Sequence, residues 1–267
     1  MGRQDANFAA GIADVYARLL VPMLFAPYAV DLAERVAALK PRDVLETAAG
    51  TGAVTRELAS RLPGAHIVAT DLNAPMLEMA RHTLDAHVKL RVVDAQSLPF
   101  DDACFDVVAC QFGVMFFPDR VRAYADARRV LRGGGPFLFN VWDALDANPL
   151  AATVVQALAA RFPDDPPRFT ARVPHGYHDA ARIEADLAAA GFRDVRIRPV
   201  DAVATARDAR EAAIAFCSGT PVRHEIEERD PGGVDDAIAA VTPVLQARFG
   251  TGAIQAQMRA LVVEARV

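Results

Sequence analysis

Residues 43–52 read Asp43-Val44-Leu45-Glu46-Thr47-Ala48-Ala49-Gly50-Thr51-Gly52. A short apolar run, DVLET, enters a small-residue turn, AAGTG, and Val54–Arg61 then takes a helical pattern. Strand, glycine turn and helix in direct succession form the opening unit of an α/β sheet. Residues without a Cβ suit the turn for two reasons: it is tight, and its backbone can approach a ligand closely. Taken alone the glycine pair is weak evidence, because many helices follow one.

The same unit recurs on the C-terminal side. Candidate strands follow at His66–Asp71 (HIVATD), Val88–Asp94 (VKLRVVD), Phe105–Gln111 (FDVVACQ) and Pro136–Trp142 (PFLFNVW). Helical patterns lie between them over Met76–Leu84 and Asp119–Leu131, and Gly133-Gly134-Gly135 leads into the fifth strand. Nearly continuous apolar strands alternating with helices indicate a parallel sheet covered on both faces. Right-handed crossovers make it doubly wound. On the N-terminal side two helices are expected, over Ala9–Leu20 and Tyr28–Leu39, joined at Pro22 and Pro27. After Trp142, residues 143–176 read as loop and helix, Asp179–Ala190 as an amphipathic helix stopped at Gly191, and Val195–Val200 as a sixth strand. Residues 207–253 read as inserted helices broken at Pro221, Pro231-Gly232-Gly233 and Gly250, before a last strand at Met258–Val267.

The chain has 267 residues, 52% hydrophobic and 24% charged, which fits one large α/β domain with a cap and excludes a disordered or low-complexity chain. The organisation expected is N-terminal helices over residues 1–40, a ligand-binding core over 41–145, and the remainder of the same sheet with its cap over 146–267. A net charge of −5 does not attract phosphate backbones, so no nucleic-acid partner is expected. Three cysteines without CxxC spacing, Cys104, Cys110 and Cys217, give neither a disulfide framework nor a zinc site, and no metal is expected. The N-terminal residues lack the basic start of a secretory signal, and Ala6 stands where a myristoylation motif needs Ser or Thr. The apolar run Leu19–Val30 is broken by prolines and too short to cross a bilayer. A cytoplasmic protein with no membrane partner is expected.

Three acids mark successive strand ends: Glu46, Asp71 and Asp94. A carboxylate ending the second strand can accept from both hydroxyls of a ribose, and one ending the third can accept from an adenine amino group. The ordered set VLETAAGTG, VATDLNAPMLEMA, RVVDAQSLPFDDACFDVVACQFGVMFF and RVLRGGGPFLFNVWD resembles the successive motifs of class I S-adenosylmethionine-dependent methyltransferases. The likeness is strongest to the type-11 group, which includes ubiquinone/menaquinone-biosynthesis-like enzymes, and runs from about Val44 to Trp142. It implies a Rossmann-like, mostly parallel seven-stranded sheet with N-terminal helices and a helical insertion before the last strand. It implies S-adenosylmethionine as cofactor and S-adenosylhomocysteine as product.

Position by position, the resemblance gives Glu46 the orienting of the turn and of the methionine amino group, and Gly50 and Gly52 the close backbone approach. It gives Asp71 the ribose, Leu72 the side of the adenine, Met76 a place near the base, and Asp94 with Ala95 the adenine edge. Gln111 falls below the methionine part. Ala48 departs from the pattern, standing where many members have glycine, and a slight shift of the turn is expected from its methyl group. Tyr16 of the N-terminal helices is the residue expected to close over the cofactor.

The reaction implied is in-line displacement at the sulfonium methyl, in which positioning supplies roughly 7–11 kcal/mol in favourable cases. A base is needed only if the acceptor loses a proton, and His175 and His178 in PHGYH are the candidates. Phe112, Met115 and Phe116 after the fourth strand and Trp142 after the fifth are candidates to line an apolar acceptor pocket. The acceptor implied is a small, apolar or aromatic molecule, and the assembly a monomer or homodimer. Two alternatives remain: a nicotinamide oxidoreductase or epimerase, and a non-catalytic cofactor-binding regulator. Against the first, the stretch from Gly50 reads GTGAVT, with Thr55 where the dinucleotide fingerprint needs Gly or Ala, and Glu46 would repel a pyrophosphate.

Overall fold

A computed structural model describes residues 10–84 and 87–267. Five parallel strands form its centre: β1 (Asp43–Thr47), β2 (His66–Asp71), β3 (Lys89–Val92), β4 (Val107–Gln111) and β5 (Pro136–Trp142). With β6 (Asp194–Ala206) and β7 (Ile254–Arg266) they make one seven-stranded sheet in the order β3-β2-β1-β4-β5-β7-β6. Only β7 runs against its neighbours. The chain builds outward from β1 to β3 and then returns to place β4 on the other side of β1. The crossovers on the two sides diverge there and leave a crevice at the carboxyl ends of β1 and β4, where open α/β sheets bind ligands.

Helices α3 (Ala53–Arg61), α4 (Ala74–Arg81) and α5 (Arg120–Val130) make the crossovers. On one face, Val44, Ile67, Ala69 and Leu138 pack beneath Leu32, Val36 and Leu58. On the other, Phe137 and Phe139 pack with Tyr124, whose ring lies 5.6 Å from each. The alternation of β5 thus serves two cores, which is why PFLFNVW is buried at all seven positions.

The N-terminal segment departs from the expected pair of helices. Helix α1 (Ala10–Val15), a π-helix (Tyr16–Phe25) and α2 (Ala26–Ala38) run on without a break. Pro22 lies inside the π-helix and Pro27 in the first turn of α2. A proline ends an α-helix because its ring meets the carbonyl four residues back. Here the winding widens, and Ala26 N–H reaches Val21 O, five residues back. The start assigned to Ala9 lies outside the described residues, as does the reading of residues 1–9. The apolar run read as too short for a bilayer is therefore part of one helix, Gly11–Ala38, long and apolar enough to cross one. Its Leu20, Met23, Tyr28, Leu32 and Val36 are buried in the fold.

Strand β6 extends well beyond the expected 195–200. It pairs with β7 over its whole length, and the pair projects past β5 as a two-stranded ribbon. Alternating exposed residues, Pro199 among them, hide the strand in the sequence but suit a sheet edge. The insertion between β6 and β7 holds α9 (Ala209–Ser218), α10 (Val222–Arg229) and α11 (Val234–Phe249). Before β6 come α6 (Pro149–Arg161), α7 (Phe169–Arg172) and α8 (Ala180–Ala189). Asp179 caps α8 by accepting from Ala181 N–H at 2.9 Å, and Gly191 follows its end at φ +93°.

Candidate functional site

Strand β1 delivers Glu46 and Thr47 to the crevice and the chain then turns through Ala48 and Gly50, both left-handed at φ +53° and +57°. Glycine adopts that conformation without strain, whereas an alanine there costs about 1–2 kcal/mol. Space is open beside Gly50 and the turn is pinned from β2: Gly50 N–H donates to Asp71 Oδ2 at 2.8 Å. Asp71 Oδ1 accepts from Asn73 N–H at 2.7 Å. Asp71 is buried, and burial raises its carboxyl above the usual range while these backbone donors act against the rise.

Asp71 lines a cleft of about 710 Å³ with Ala48, Gly50, Leu72, Met76, Asp94, Ala95 and Gln111. Tyr16 closes it from the π-helix, and Phe112, Phe116 and Phe117 bound its far side. Leu72 is exposed and Met76 buried on its wall. Asp94 lies two residues past the end of β3, in a turn closed by Ser97 N–H on its carbonyl, and its Oδ1 accepts from Gln96 N–H at 2.9 Å. Burial first, then the charge of Asp71, pushes the Tyr16 phenol well above its ordinary value, so it stays neutral.

Two of the expected residues lie elsewhere. Gly52 caps α3 at φ +79° behind the turn. Glu46 sits beneath the cleft, 1% exposed, and accepts from Thr55 Oγ1 at 2.6 Å. It ties the strand to the first turn of α3 and so orients the turn without lining the cleft. Burial pushes its carboxyl up to about 8, the Thr55 hydrogen bond opposing and Asp71 adding to the rise. Thr55, read in the sequence only as a mismatch to the dinucleotide fingerprint, is the partner that makes a buried acid tolerable here.

A second cavity, of about 780 Å³, adjoins the cleft. Tyr16, Phe112 and Phe116 line both, so the two share one wall. Met115 and Trp142 line the second cavity with Phe25, Leu150, Phe169 and His175, and the projecting ribbon and the insertion contribute Ala204, Met258 and Phe216. Phe112 stacks on Trp142 at 4.1 Å and 14°. Its backbone is left-handed at φ +49°, and its N–H is held by Asn140 Oδ1 at 2.9 Å. The next residue must be glycine: a Cβ on Gly113 would lie 2.4 Å from Ala48 Cβ and 2.7 Å from Cys110 Sγ. Gly113 and Asn140 are absent from the sequence reading, although a lone Asn in PFLFNVW is a visible anomaly.

The two histidines separate. His175 is buried in the chamber wall, its Nδ1 2.8 Å from the carbonyl of Asp143, and burial lowers it to about 4. His178 is exposed and lines neither cavity; its Nδ1 is turned back onto the His175 carbonyl at 2.7 Å. The i, i+3 spacing is thus taken up by a turn of the chain, and only one ring reaches the chamber.

The methyltransferase-domain family, type 11, matches residues 45–139, from inside β1 to inside β5. The chain is 31% identical over 183 residues to the ubiquinone/menaquinone biosynthesis C-methyltransferase UbiE of Acidiphilium cryptum, covering 62% of this chain and 73% of that protein. It belongs to the class I S-adenosylmethionine-dependent methyltransferases, type-11 group. It is 34% identical over 167 residues to the malonyl-[acyl-carrier protein] O-methyltransferase of Geobacter sulfurreducens, spanning 62% of this chain but only 61% of that relative. The YcgJ protein of Bacillus subtilis shares the fold, with a TM-score of 0.56 at 19% identity over 90% of this chain and 98% of its own. Membership sets the nicotinamide alternative aside.

The cleft residues suit the family's cofactor. Gln111 Oε1 is a buried acceptor on the cleft wall without a hydrogen-bond partner among the described residues, and an ammonium is the donor such an atom lacks. Asp71 and Asp94 add negative charge to the same cleft, which favours a cationic ligand.

Proposed function

We propose that the chain transfers the methyl group of S-adenosylmethionine to a small, apolar or aromatic molecule held in the second cavity. When bound, the cofactor supplies a sulfonium methyl that an acceptor atom displaces in line, leaving S-adenosylhomocysteine. Asp71 would hold the ribose, Asp94 and Ala95 the adenine edge with Leu72 and Met76 beside the base, and Gln111 the methionine ammonium. Tyr16, Phe112 and Phe116 bound both cavities, so they set the angle between donor and acceptor and keep water from the junction. His175 is the residue placed to take a proton, at Nε2, when the acceptor carries one. The reading includes a cytoplasmic monomer or homodimer without a nucleic-acid or membrane partner.

The observation that carries this is the shared wall: a polar, acid-lined cleft and an apolar chamber meet across three aromatic side chains. A screen of apolar acceptors with radiolabelled methyl donor tests it. Label in product from at least one ring-bearing acceptor is expected. Tight S-adenosylhomocysteine binding with no transfer to any acceptor would turn the reading to a non-catalytic regulator.

A further inference from the structure

The chemistry of the chamber narrows what it admits, on the premise that it is the acceptor's place. Among the described residues that line it, none is Asp, Glu, Lys or Arg. A charged acceptor would leave water there with no counter-ion among the described residues. Two polar side chains of the wall, Asn148 and Thr220, are already engaged. Asn148 Nδ2 donates to the carbonyls of Ala144 at 3.1 Å and Arg259 at 3.2 Å, and its Oδ1 accepts from Arg259 N–H at 3.0 Å. Thr220 Oγ1 donates to Phe216 O at 2.8 Å and accepts from Val222 N–H at 3.2 Å.

His175 differs. A carbonyl only accepts, so the Nδ1 facing Asp143 O carries the hydrogen. Nε2 then holds a lone pair, in a ring kept neutral by burial and set 5.9 Å from the Trp142 ring. At neutral pH this nitrogen accepts a hydrogen bond and gives none. A ligand without a donor leaves it unpaired in an apolar chamber, and such sites reject the analogue lacking the hydroxyl. The stacked Phe112 and Trp142 rings beside it offer flat surface to a ring system.

We propose that the acceptor is an uncharged, ring-bearing molecule whose hydroxyl, of phenol or enol type, donates a hydrogen bond to His175 Nε2. Ammonium, carboxylate and phosphate compounds of the same size are disfavoured, since they find no counter-charge among the described residues of the wall.

Calorimetry on the full chain saturated with S-adenosylhomocysteine tests this with three probes: 2-naphthol, 2-methoxynaphthalene and 2-naphthoate. The naphthol is expected to bind at least tenfold tighter than either of the others. His175→Leu is expected to bind the two neutral probes within twofold of each other while keeping S-adenosylhomocysteine affinity. Should that variant fail to fold, the wild-type ratios and the upfield shift of the Nε2 nitrogen resonance on adding naphthol decide instead. Equal binding of naphthol and its ether, preference for naphthoate, or no naphthol binding at millimolar concentration would overturn the proposal. Failure of S-adenosylhomocysteine to bind in the first titration would strike the proposed function itself, a separate outcome.

Discussion

The cleft and the chamber share three side chains, yet they are built by opposite means. Most of the cleft comes from short pieces of chain at successive strand ends: the turn after β1, the end of β2, the turn after β3 and the end of β4 with its following loop, with Tyr16 added from the π-helix. Its strength is electrostatic, with Asp71 and Asp94 on its surface. The chamber is gathered from segments scattered between Tyr16 and Met258 and, among the described residues, carries no formal charge on its wall. Charge fixes a ligand's polar groups and tolerates little change, whereas apolar walls discriminate by shape and can diverge while the fold stays. The family match ending at residue 139 follows that division, since it takes in the cleft's strand ends and leaves out most of the chamber.

If the two regions are energetically separate, damage to one should leave the other intact. The largest effect is expected at Trp142→Ala, which removes a buried ring from the chamber wall and should cost about 3–5 kcal/mol of stability. Denaturant unfolding checks the loss, and calorimetry should show S-adenosylhomocysteine affinity within threefold of wild type; a hundredfold loss would merge the two regions into one. Next, Gly113→Ala forces a methyl against Ala48 and Cys110 and should cost about 1–3 kcal/mol, as overpacking does. Because the clash is with the Ala48 methyl, adding Ala48→Gly should restore part of the loss in thermal denaturation.

Acid titration sharpens the contrast, because the two buried groups act with opposite sign. Glu46 in the fold keeps its proton up to about 8, above an unfolded carboxyl near 4.5, so the folded state binds the extra proton between those values. Its contribution to stability is full below about 4.5 and declines as pH rises toward 8. His175 is lowered to about 4 from 6.5, so the unfolded state binds the extra proton and stability declines as pH falls from 6.5 to 4. Between about 4.5 and 6.5 the two slopes offset, so thermal midpoints of the ligand-free wild type should be nearly level there and fall between 6.5 and 8; Glu46→Gln should abolish that fall and leave a rise from 4 to 6.5, while His175→Leu should extend the fall down to about 4.5. The smallest effect is that of Ala48→Gly alone: relief of a left-handed alanine should raise stability by less than about 1–2 kcal/mol.

The same contrast explains what the sequence disclosed. DVLET, HIVATD and PFLFNVW mark strands whose bounds agree with the structure, because burial on both faces leaves a nearly continuous apolar run. Asp71 and Gly50 were legible because their partnership spans one crossover. Glu46 shows the limit: its type and position were readable, but its descent beneath the turn depends on Thr55 on the following helix. The length of β6 was hidden because an edge strand needs no apolar run, and the continuous N-terminal helix because π-winding lets Pro22 pass. His178 looked equivalent to His175 by spacing alone. Burial, which separates them, arises from the ribbon, the insertion and the loop after β5 closing together, and no local pattern records it.

The central claim is that the acid-lined cleft, and Asp71 within it, holds the nucleoside. Calorimetric titration of S-adenosylhomocysteine into wild type and Asp71→Asn, with circular dichroism confirming that both are folded, tests it most directly. The account predicts micromolar binding to wild type and a loss of at least about a hundredfold in the variant, as expected when a buried charged acceptor is removed from polar partners. Undiminished affinity in a folded Asp71→Asn protein would contradict it.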